Sequence, residues 1–130
     1  MAGVTGGRRI GSARRSAGGQ TEAEIMAAIR VGCADIAVLW RNHVGTVTDA
    51  RTRRVHTFGF GKGSADLVGA RRSDGRFVAI EVKKTSGRVA PEQLQWLEAV
   101  ARECPGSLVG VARSVDDARR IISGDQNRTT

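Results

Sequence analysis

Apolar residues recur first at helical spacing and then in strand-like runs, beginning near Thr21. Ile25 and Ile29 lie on one predicted helical face, behind the pair formed by Thr21 and Glu24. Thr-x-x-Glu is typical of a capping box at a helix start. The partly β-branched run DIAVLWRN, residues 35–42, follows directly. The folded part is therefore predicted to open with a helix and then a strand.

Two hairpins are predicted after this strand. VGTVTDARTRRVHTF, residues 44–58, carries Val and Thr on both sides of a polar centre. GFGKGSADLVGARRSDGRFVAIEVKK, residues 59–84, carries two apolar runs around Asp74 and Gly75. Because Asp-Gly is a favoured pair in two-residue turns, the second hairpin is the stronger prediction.

Helical periodicity returns in PEQLQWLEAVAREC, residues 91–104. Pro91 suits the first helical position, where an N–H would have no intrahelical partner. Leu94, Leu97 and Ala101 form one apolar stripe, with Trp96 and Val100 beside it, as in an amphipathic helix.

A short strand, SLVGVAR, and a final helix, SVDDARRII with Ser114 as its N-cap, complete the pattern. The predicted order is α-β-β-β-α-β-α with one additional hairpin strand. This order predicts an α/β fold, a mixed sheet flanked by helices.

Composition divides the chain into three segments. Residues 1–20 hold six Gly, four Arg and no acid, which predicts a disordered basic arm. Residues 21–122 are predicted to form one domain, and residues 123–130 a short tail. No apolar run approaches the roughly 18 residues of a membrane span, and no apolar segment follows the N-terminal arginines as in a secretory signal. Cys33 and Cys104 lack zinc-ligand spacing and fit a reducing cytoplasm.

The charge balance favours a polyanionic partner. Lys and Arg number 21 against 13 Asp and Glu, a net charge of +8, and 18 of the 21 bases are Arg. Arginine holds phosphate in a bidentate manner, whereas scattered arginines without an amphipathic basic helix disfavour a membrane surface. A basic protein with no nucleic-acid partner remains the alternative.

Candidate chemistry lies in FVAIEVKK, residues 77–84. Val78, Ile80 and Val82 share one strand face, while Glu81 and Lys83 share the other. An acid and a base on one face of an otherwise apolar strand indicate that a further polar side chain lies opposite them on the neighbouring strand of the hairpin.

The turn supplies that partner. If Asp74 and Gly75 form a two-residue turn, Asp66 lies directly opposite Lys83 and diagonal to Glu81. The three side chains then share a face, since the side-chain period of a strand is two.

Two carboxylates and an ammonium group at this separation suit a hard divalent cation such as Mg²⁺. Such an ion polarises a phosphoryl oxygen and lowers the pKa of bound water, while the lysine orients or deprotonates that water. The pattern thus indicates metal-assisted phosphodiester hydrolysis. An Asp/Glu–Lys salt-bridge cluster on an exposed sheet face remains the alternative.

GSADLVGA followed by FVAIEVKK resembles the D-(x)n-E-x-K signature of the PD-(D/E)xK nuclease superfamily, with Ala65 where a proline often precedes the Asp. More narrowly, the chain resembles the stand-alone VRR-NUC domains of phages and bacteria, over roughly residues 21–122. That resemblance implies a restriction-endonuclease-like core and a Mg²⁺- or Mn²⁺-dependent DNase. It places the metal on Asp66, Glu81 and the Val82 backbone carbonyl.

The resemblance also implies assisting residues. Relatives carry a Glu on the first helix near the metal, and Glu22 fits the family's E-x-x-I-x-x-x-I spacing better than Glu24, the predicted capping residue. Glu22 is therefore a candidate catalytic residue and metal ligand. Its alternative is an acid that favours the helix dipole. Gln93 matches the family's helix Gln and is expected to lean towards Lys83 or the scissile phosphate.

A further set of residues is predicted to bind DNA: Arg41, Asn42, Lys62, Lys84 and Arg88. Arg41 and Asn42 match an RN pair of the family, although Arg41 could simply lie at a strand end. His43 and His56 are interpreted as surface residues. Trp40 and Trp96 are expected in the core, because the chain has only five aromatic residues.

The overall prediction is a small endonuclease that cuts or nicks DNA, selecting branched, flap or junction structures. The resemblance implies a homodimer in the bacterial cytoplasm, encoded by a bacterium or phage, with no nucleotide cofactor and no membrane partner. A non-catalytic basic DNA-binding module is the alternative.

Overall fold

The computed structural model describes residues 19–125. The predicted arm and tail therefore lie largely outside the described residues. The elements, numbered in chain order, are helices α1 (Glu22–Gly32), α2 (Pro91–Glu103) and α3 (Val115–Ser123), and strands β1 (Ala37–Arg41), β2 (Gly45–Thr48), β3 (Val55–Phe58), β4 (Leu67–Arg71), β5 (Phe77–Val82) and β6 (Leu108–Ala112). None of the helices in this range is long and apolar enough to cross a membrane.

The main sheet has four strands in the order β1-β4-β5-β6. β1 pairs antiparallel with β4, β4 pairs antiparallel with β5, and β5 pairs parallel with β6. β2 and β3 form a separate antiparallel ribbon inserted after β1. The predicted α/β fold is confirmed, but the inserted element is a two-stranded hairpin outside the main sheet and not the single additional strand of the predicted order.

Helix starts follow the local chemistry of the sequence. The Glu24 N–H donates to Thr21 Oγ1 at 3.1 Å, and the Thr21 N–H donates to Glu24 Oε1 at 2.9 Å. This reciprocal pair is the predicted capping box and satisfies two otherwise unpaired donors. Pro91 occupies the first turn of α2, and the Ser114 side chain caps α3 by accepting from Asp117 N–H.

The two faces of the sheet bury separate apolar clusters. One face packs against α1 and α3 and forms the larger core, which includes Ile29, Leu67, Ile80 and Ile122. The other face packs against α2 in a smaller cluster of Ala65, Ala79 and Leu97 with half-buried neighbours. Because residues alternate along β5, Glu81 belongs to this smaller cluster's face.

The β4–β5 hairpin differs from the predicted register by two residues. Leu67 pairs with Ile80, so the register places Asp66 opposite Glu81 and not opposite Lys83. A four-residue loop replaces the two-residue turn: Asp74 accepts two hydrogen bonds from the Arg71 guanidinium, and Gly75 alone is left-handed (φ 77°). Since the shift is even, Asp66 and Glu81 keep the predicted common face.

The apolar stripe of α2 is only partly buried, and the prediction that Trp40 lies in the core is wrong. Leu94 and Ala101 are exposed, and within the α2 stripe only Leu97 is buried. Trp40 is 58% exposed, although Trp96 packs against the smaller cluster as expected. α2 packs against β6, whereas Trp40 lies on β1 at the opposite edge of that face, which explains its exposure.

Candidate active site

The predicted acidic pair comes together at one end of the β4–β5 hairpin. Asp66 immediately precedes β4, and its Oδ2 accepts a hydrogen bond from the Val82 N–H at 2.8 Å. The N–H and carbonyl of a strand residue point to the same neighbouring strand. The Val82 carbonyl therefore faces the side on which Asp66 lies.

Glu81 is buried on the α2 side of the sheet, with 1% of its surface exposed. Its Oε2 accepts from Gln93 Nε2 at 2.8 Å and lies 3.5 Å from Lys83 Nζ. Its Oε1 is buried and has no hydrogen-bond partner among the described residues. A buried carboxylate oxygen without a partner is costly, which makes this atom a candidate ligand for a cation.

The same surroundings change the protonation of Glu81. Burial and, to a lesser extent, the negative charge of Asp66 raise the pKa of Glu81 to about 8, although the positive charge of Lys83 opposes the shift. Without a cation, the pair therefore holds a proton at neutral pH.

Gln93 links helix α2 to this carboxyl group. Its Oε1 accepts from the Ala90 N–H at 2.8 Å, so its Nε2 must be the atom that faces Glu81. The helix start thereby determines which end of the amide reaches the site. Gln93 thus leans towards Glu81, and the predicted approach to Lys83 or to the scissile phosphate stays a prediction.

Asn42 holds the segment that carries Asp66. Its Nδ2 donates to Ser64 Oγ and to the Ala65 carbonyl, both at 2.8 Å. Its Oδ1 accepts from the Phe60 N–H at 3.2 Å, and its own N–H donates to the Asp66 carbonyl. The Asn42 amide is thus engaged within the protein, at the wall of the site.

An open cavity of about 280 Å³ lies beside Asp66. Its lining includes Arg41, Asn42, His43, Ser64, Asp66 and Gln93. Arg41 is exposed, and Lys62 is exposed with its Nζ 4.0 Å from Glu92 Oε1. His43 and His56 are exposed, as predicted, although His43 also lines the cavity.

The turn after β5 carries the other predicted basic residues. Lys84 and Arg88 are exposed. Arg113 Nη1 donates to the carbonyls of Lys84 and Gly87, at 2.8 and 2.7 Å, and so ties this turn to the end of β6. Glu22 lies against the same turn, with Oε2 3.3 Å from the point where a Cβ on Gly87 would lie.

The described residues contain no group of three or more His, Cys, Asp or Glu side chains that could hold a metal. Glu22 thus does not form such a group with Asp66 and Glu81, and its role as a ligand stays a prediction. Two carboxylates still fit Mg²⁺ or Mn²⁺, because such ions keep several waters and need few protein ligands. The unpartnered Glu81 Oε1 supports that fit.

Sequence reasoning missed two residues that shape the site. Ser64 is buried and donates to the Gly61 carbonyl while accepting from Asn42. Arg113 braces the turn after β5. Ser64 could have been recognised as a candidate site residue, because it is a polar residue that follows Gly61 and Gly63. Nothing in the local sequence indicates the role of Arg113, since the hydrogen-bond partners of its side chain lie more than 25 positions away.

The mixed sheet, with an Asp, a buried Glu and a Lys at one hairpin end, is consistent with the restriction-endonuclease-like fold of the PD-(D/E)xK class. The family model of the VRR-NUC domain matches residues 25–116, more than two thirds of the chain. The protein therefore belongs to the VRR-NUC family of nucleases. No curated protein matches the chain.

Proposed function

We propose that the protein is a Mg²⁺- or Mn²⁺-dependent endonuclease that hydrolyses phosphodiester bonds in DNA. One observation carries this proposal: Glu81 is buried beside Asp66 and Lys83 with one carboxylate oxygen unpartnered. A residue kept only for stability would be matched by a full set of hydrogen bonds. The nearby carboxylate of Asp66 makes the charged form of Glu81 still less favourable unless a cation binds.

Asp66, Glu81 and the Val82 carbonyl would hold the cation, with Glu22 as a further candidate. The bound ion would polarise the scissile phosphate and lower the pKa of a water molecule. Glu81 releases its proton on binding, because the cation compensates the charge that burial disfavours. Gln93 keeps Glu81 Oε2 in place through its hydrogen bond.

Lys83 supplies the remaining function. Its side chain is only 12% exposed and its Nζ lies 3.5 Å from Glu81 Oε2, so the ammonium group is held at the site. In this position it orients the attacking water or neutralises charge that develops on the phosphate. In this proposal, DNA phosphate is contacted by four exposed basic residues: Arg41, Lys62, Lys84 and Arg88. Asn42 has a different role, because it holds the segment that carries Asp66.

We further propose that the enzyme selects DNA structure, cutting branched, flap or junction DNA or nicking duplex, as a homodimer in the bacterial cytoplasm. One small domain covers little of a junction, and a second copy would extend the contact. A net charge of +8 supports association with DNA by phosphate contacts.

The test is cleavage of nicked, flap, four-way-junction and linear DNA in Mg²⁺, in Mn²⁺ and in chelator. We expect metal-dependent cleavage that falls by roughly 10²-fold or more in Asp66→Ala and in Lys83→Ala. Asp116→Ala is the matched control, because Asp116 is exposed at the start of α3 and should leave the rate unchanged. Cleavage that survives in chelator, or in both site variants, would refute the assignment.

The second candidate is a non-catalytic DNA-binding module. The Lys83–Glu81 contact favours it, because these charges also satisfy a structural ion pair. It predicts binding without cleavage across the whole panel, and a modest loss of stability in Asp66→Ala.

A further inference from the structure

The β2–β3 ribbon is separate from the rest of the fold. Its two strands pair only with each other, and seven of its eight residues are exposed. Val47, Val55 and Phe58 are among them, at 56%, 63% and 46%. An isolated two-stranded ribbon is marginally stable in water. Exposed apolar side chains on such an element indicate a surface that a partner covers.

The ribbon begins at the wall of the candidate active site. His43 and Val44, which precede β2, line the cavity beside Asp66. Gly59, which follows β3, passes so close that a Cβ there would lie 2.3 Å from the His43 carbonyl oxygen. The Phe60 N–H then donates to Asn42 Oδ1. The base of the ribbon is thereby held tightly against the site.

The tip of the ribbon carries unpaired positive charge. Arg51, Arg53 and Arg54 lie in the loop between the strands, and all three are exposed. Asp49 Oδ1 is engaged by the backbone N–H groups of Arg51 and Thr52, at 2.8 and 3.1 Å. Within residues 19–125, no ion pair joins the three guanidinium groups to an acid.

The backbone of the tip does not explain these arginines. Arg53 has φ 64°, a left-handed conformation, and among the described residues it is the only non-glycine residue with positive φ. Gly would remove a steric penalty of roughly 1–2 kcal/mol at this position. Backbone conformation alone would therefore favour Gly over Arg at this position.

We propose that the ribbon lies in the major groove of the duplex beside the scissile bond, with the three tip arginines on phosphates. This proposal rests on the proposed function, since it places the flank of the same DNA substrate. A B-DNA major groove, about 12 Å wide, admits a two-stranded ribbon. A strand rises about 3.4 Å per residue, which is also about the rise per base pair of DNA, so the four residue pairs of the ribbon would extend over roughly four base pairs from the site.

The ribbon's two faces suit this position. Thr46, Thr48 and Thr57 share one face with Val55, and their hydroxyl groups can donate to phosphate oxygens. Phe58 covers Gly45 on the other face, where a Cβ would lie 2.6 Å from Phe58 Cζ. Charge favours DNA over a second copy, because two such tips would oppose each other with like charge.

The test measures binding of the full chain to a 30-base-pair duplex in chelator, across a range of KCl concentrations. The variant replaces Arg51, Arg53 and Arg54 with Gln. We expect roughly tenfold or greater loss of affinity and a salt slope smaller in magnitude by about 2 to 3. The matched control replaces Arg72, Arg102 and Arg120 with Gln, which removes the same charge at the opposite end of the sheet. It should lose much less affinity.

Equal losses in the two triple variants would overturn the proposal, because bulk charge would then account for both. Val47→Glu combined with Phe58→Glu provides a second check by sedimentation. Conversion of a dimer to a monomer with unchanged DNA affinity would assign the ribbon to a second copy and also overturn it. Melting curves establish that every variant is folded.

The two proposals fail separately. If the wild-type protein cleaves DNA in an Asp66-dependent manner and both arginine variants bind alike, only the groove assignment is refuted. If the ribbon variant alone loses binding while no DNA is cut in either metal, the contact between the ribbon and duplex DNA stands and the nuclease activity is refuted.

Discussion

Glu81 is the side chain of the candidate site on which opposing electrostatic effects act most strongly. Its charge is opposed by burial and by Asp66, and is supported by Lys83 and by the Gln93 amide. The balance raises the pKa of Glu81 to about 8, so folding in the absence of a cation takes up a proton at neutral pH. If Glu81 holds the cation of the proposed function, stability and cation binding would therefore be coupled at this residue.

Glu81→Gln should remove a pH dependence of stability. The folded pKa lies above the ordinary 4.5, so in chelator the wild-type free energy of unfolding should fall as pH rises from about 4.5 to about 8. The fall should amount to a few kcal/mol, since one pKa unit corresponds to about 1.4 kcal/mol. Urea titrations at several pH values measure it.

Glu98→Gln, at an exposed position of α2, is the control and should retain the wild-type slope. Mg²⁺ at pH 8 should raise the melting temperature of the wild type more than that of Glu81→Gln. A wild-type stability that does not change over this pH range would contradict the account.

At the scale of elements, the site depends on contact between the start of α2 and the loop before β4. Gly63 lies against the Glu92 backbone, where a Cβ would be 2.9 Å from the carbonyl oxygen. The loop delivers Asp66 and the helix delivers Gln93, so this contact sets the distance between them.

Gly63→Ala and Gly61→Ala form a matched pair that isolates the contact. Both glycines have positive φ, 84° and 100°, so both substitutions carry the same kind of backbone penalty, about 1–2 kcal/mol. Only Gly63 meets backbone, while nothing lies within 4 Å of a Cβ at Gly61. We expect Gly63→Ala to destabilise more and to reduce cleavage by the folded protein; equal effects would argue against a role for the contact.

At the scale of the whole molecule, the sheet separates a stabilising core from a core that also supports the site. Ile122 is fully buried on the face covered by α1 and α3. Leu97 is 5% exposed on the opposite face, one helical turn after Gln93. Truncation of either side chain should cost about 2–5 kcal/mol of stability.

Their effects on function should differ. Leu97→Ala admits water on the face of Glu81, so it should lower the pKa of Glu81 and reduce cleavage by the folded protein. Ile122→Ala should leave cleavage by the folded protein unchanged. The measurement is cleavage against pH at a temperature where both variants are folded, and equal losses would contradict the separation.

Local patterns in the sequence were enough for the helix starts, the order of the elements of the main sheet and its helices, and the shared face of Asp66 and Glu81. The helix starts depend on residues within a single turn, namely the pair Thr21 and Glu24 in one helix and Pro91 in another. The alternation of side chains along FVAIEVKK is a property of any strand. These features need no knowledge of distant residues, which is why they could be predicted.

Tertiary structure decided the rest. The hairpin register differs by two residues from the predicted one because the Arg71 guanidinium donates hydrogen bonds both to Asp74 and to the Ile122 carbonyl, which is 51 residues away. Gln93 reaches Glu81 only because α2 packs on this face of the sheet, against β6, and Trp40 is exposed because α2 does not extend to β1. The sequence determined which groups share a face, since periodicity is local; packing determined which of them touch, since contact depends on elements brought together from distant parts of the chain.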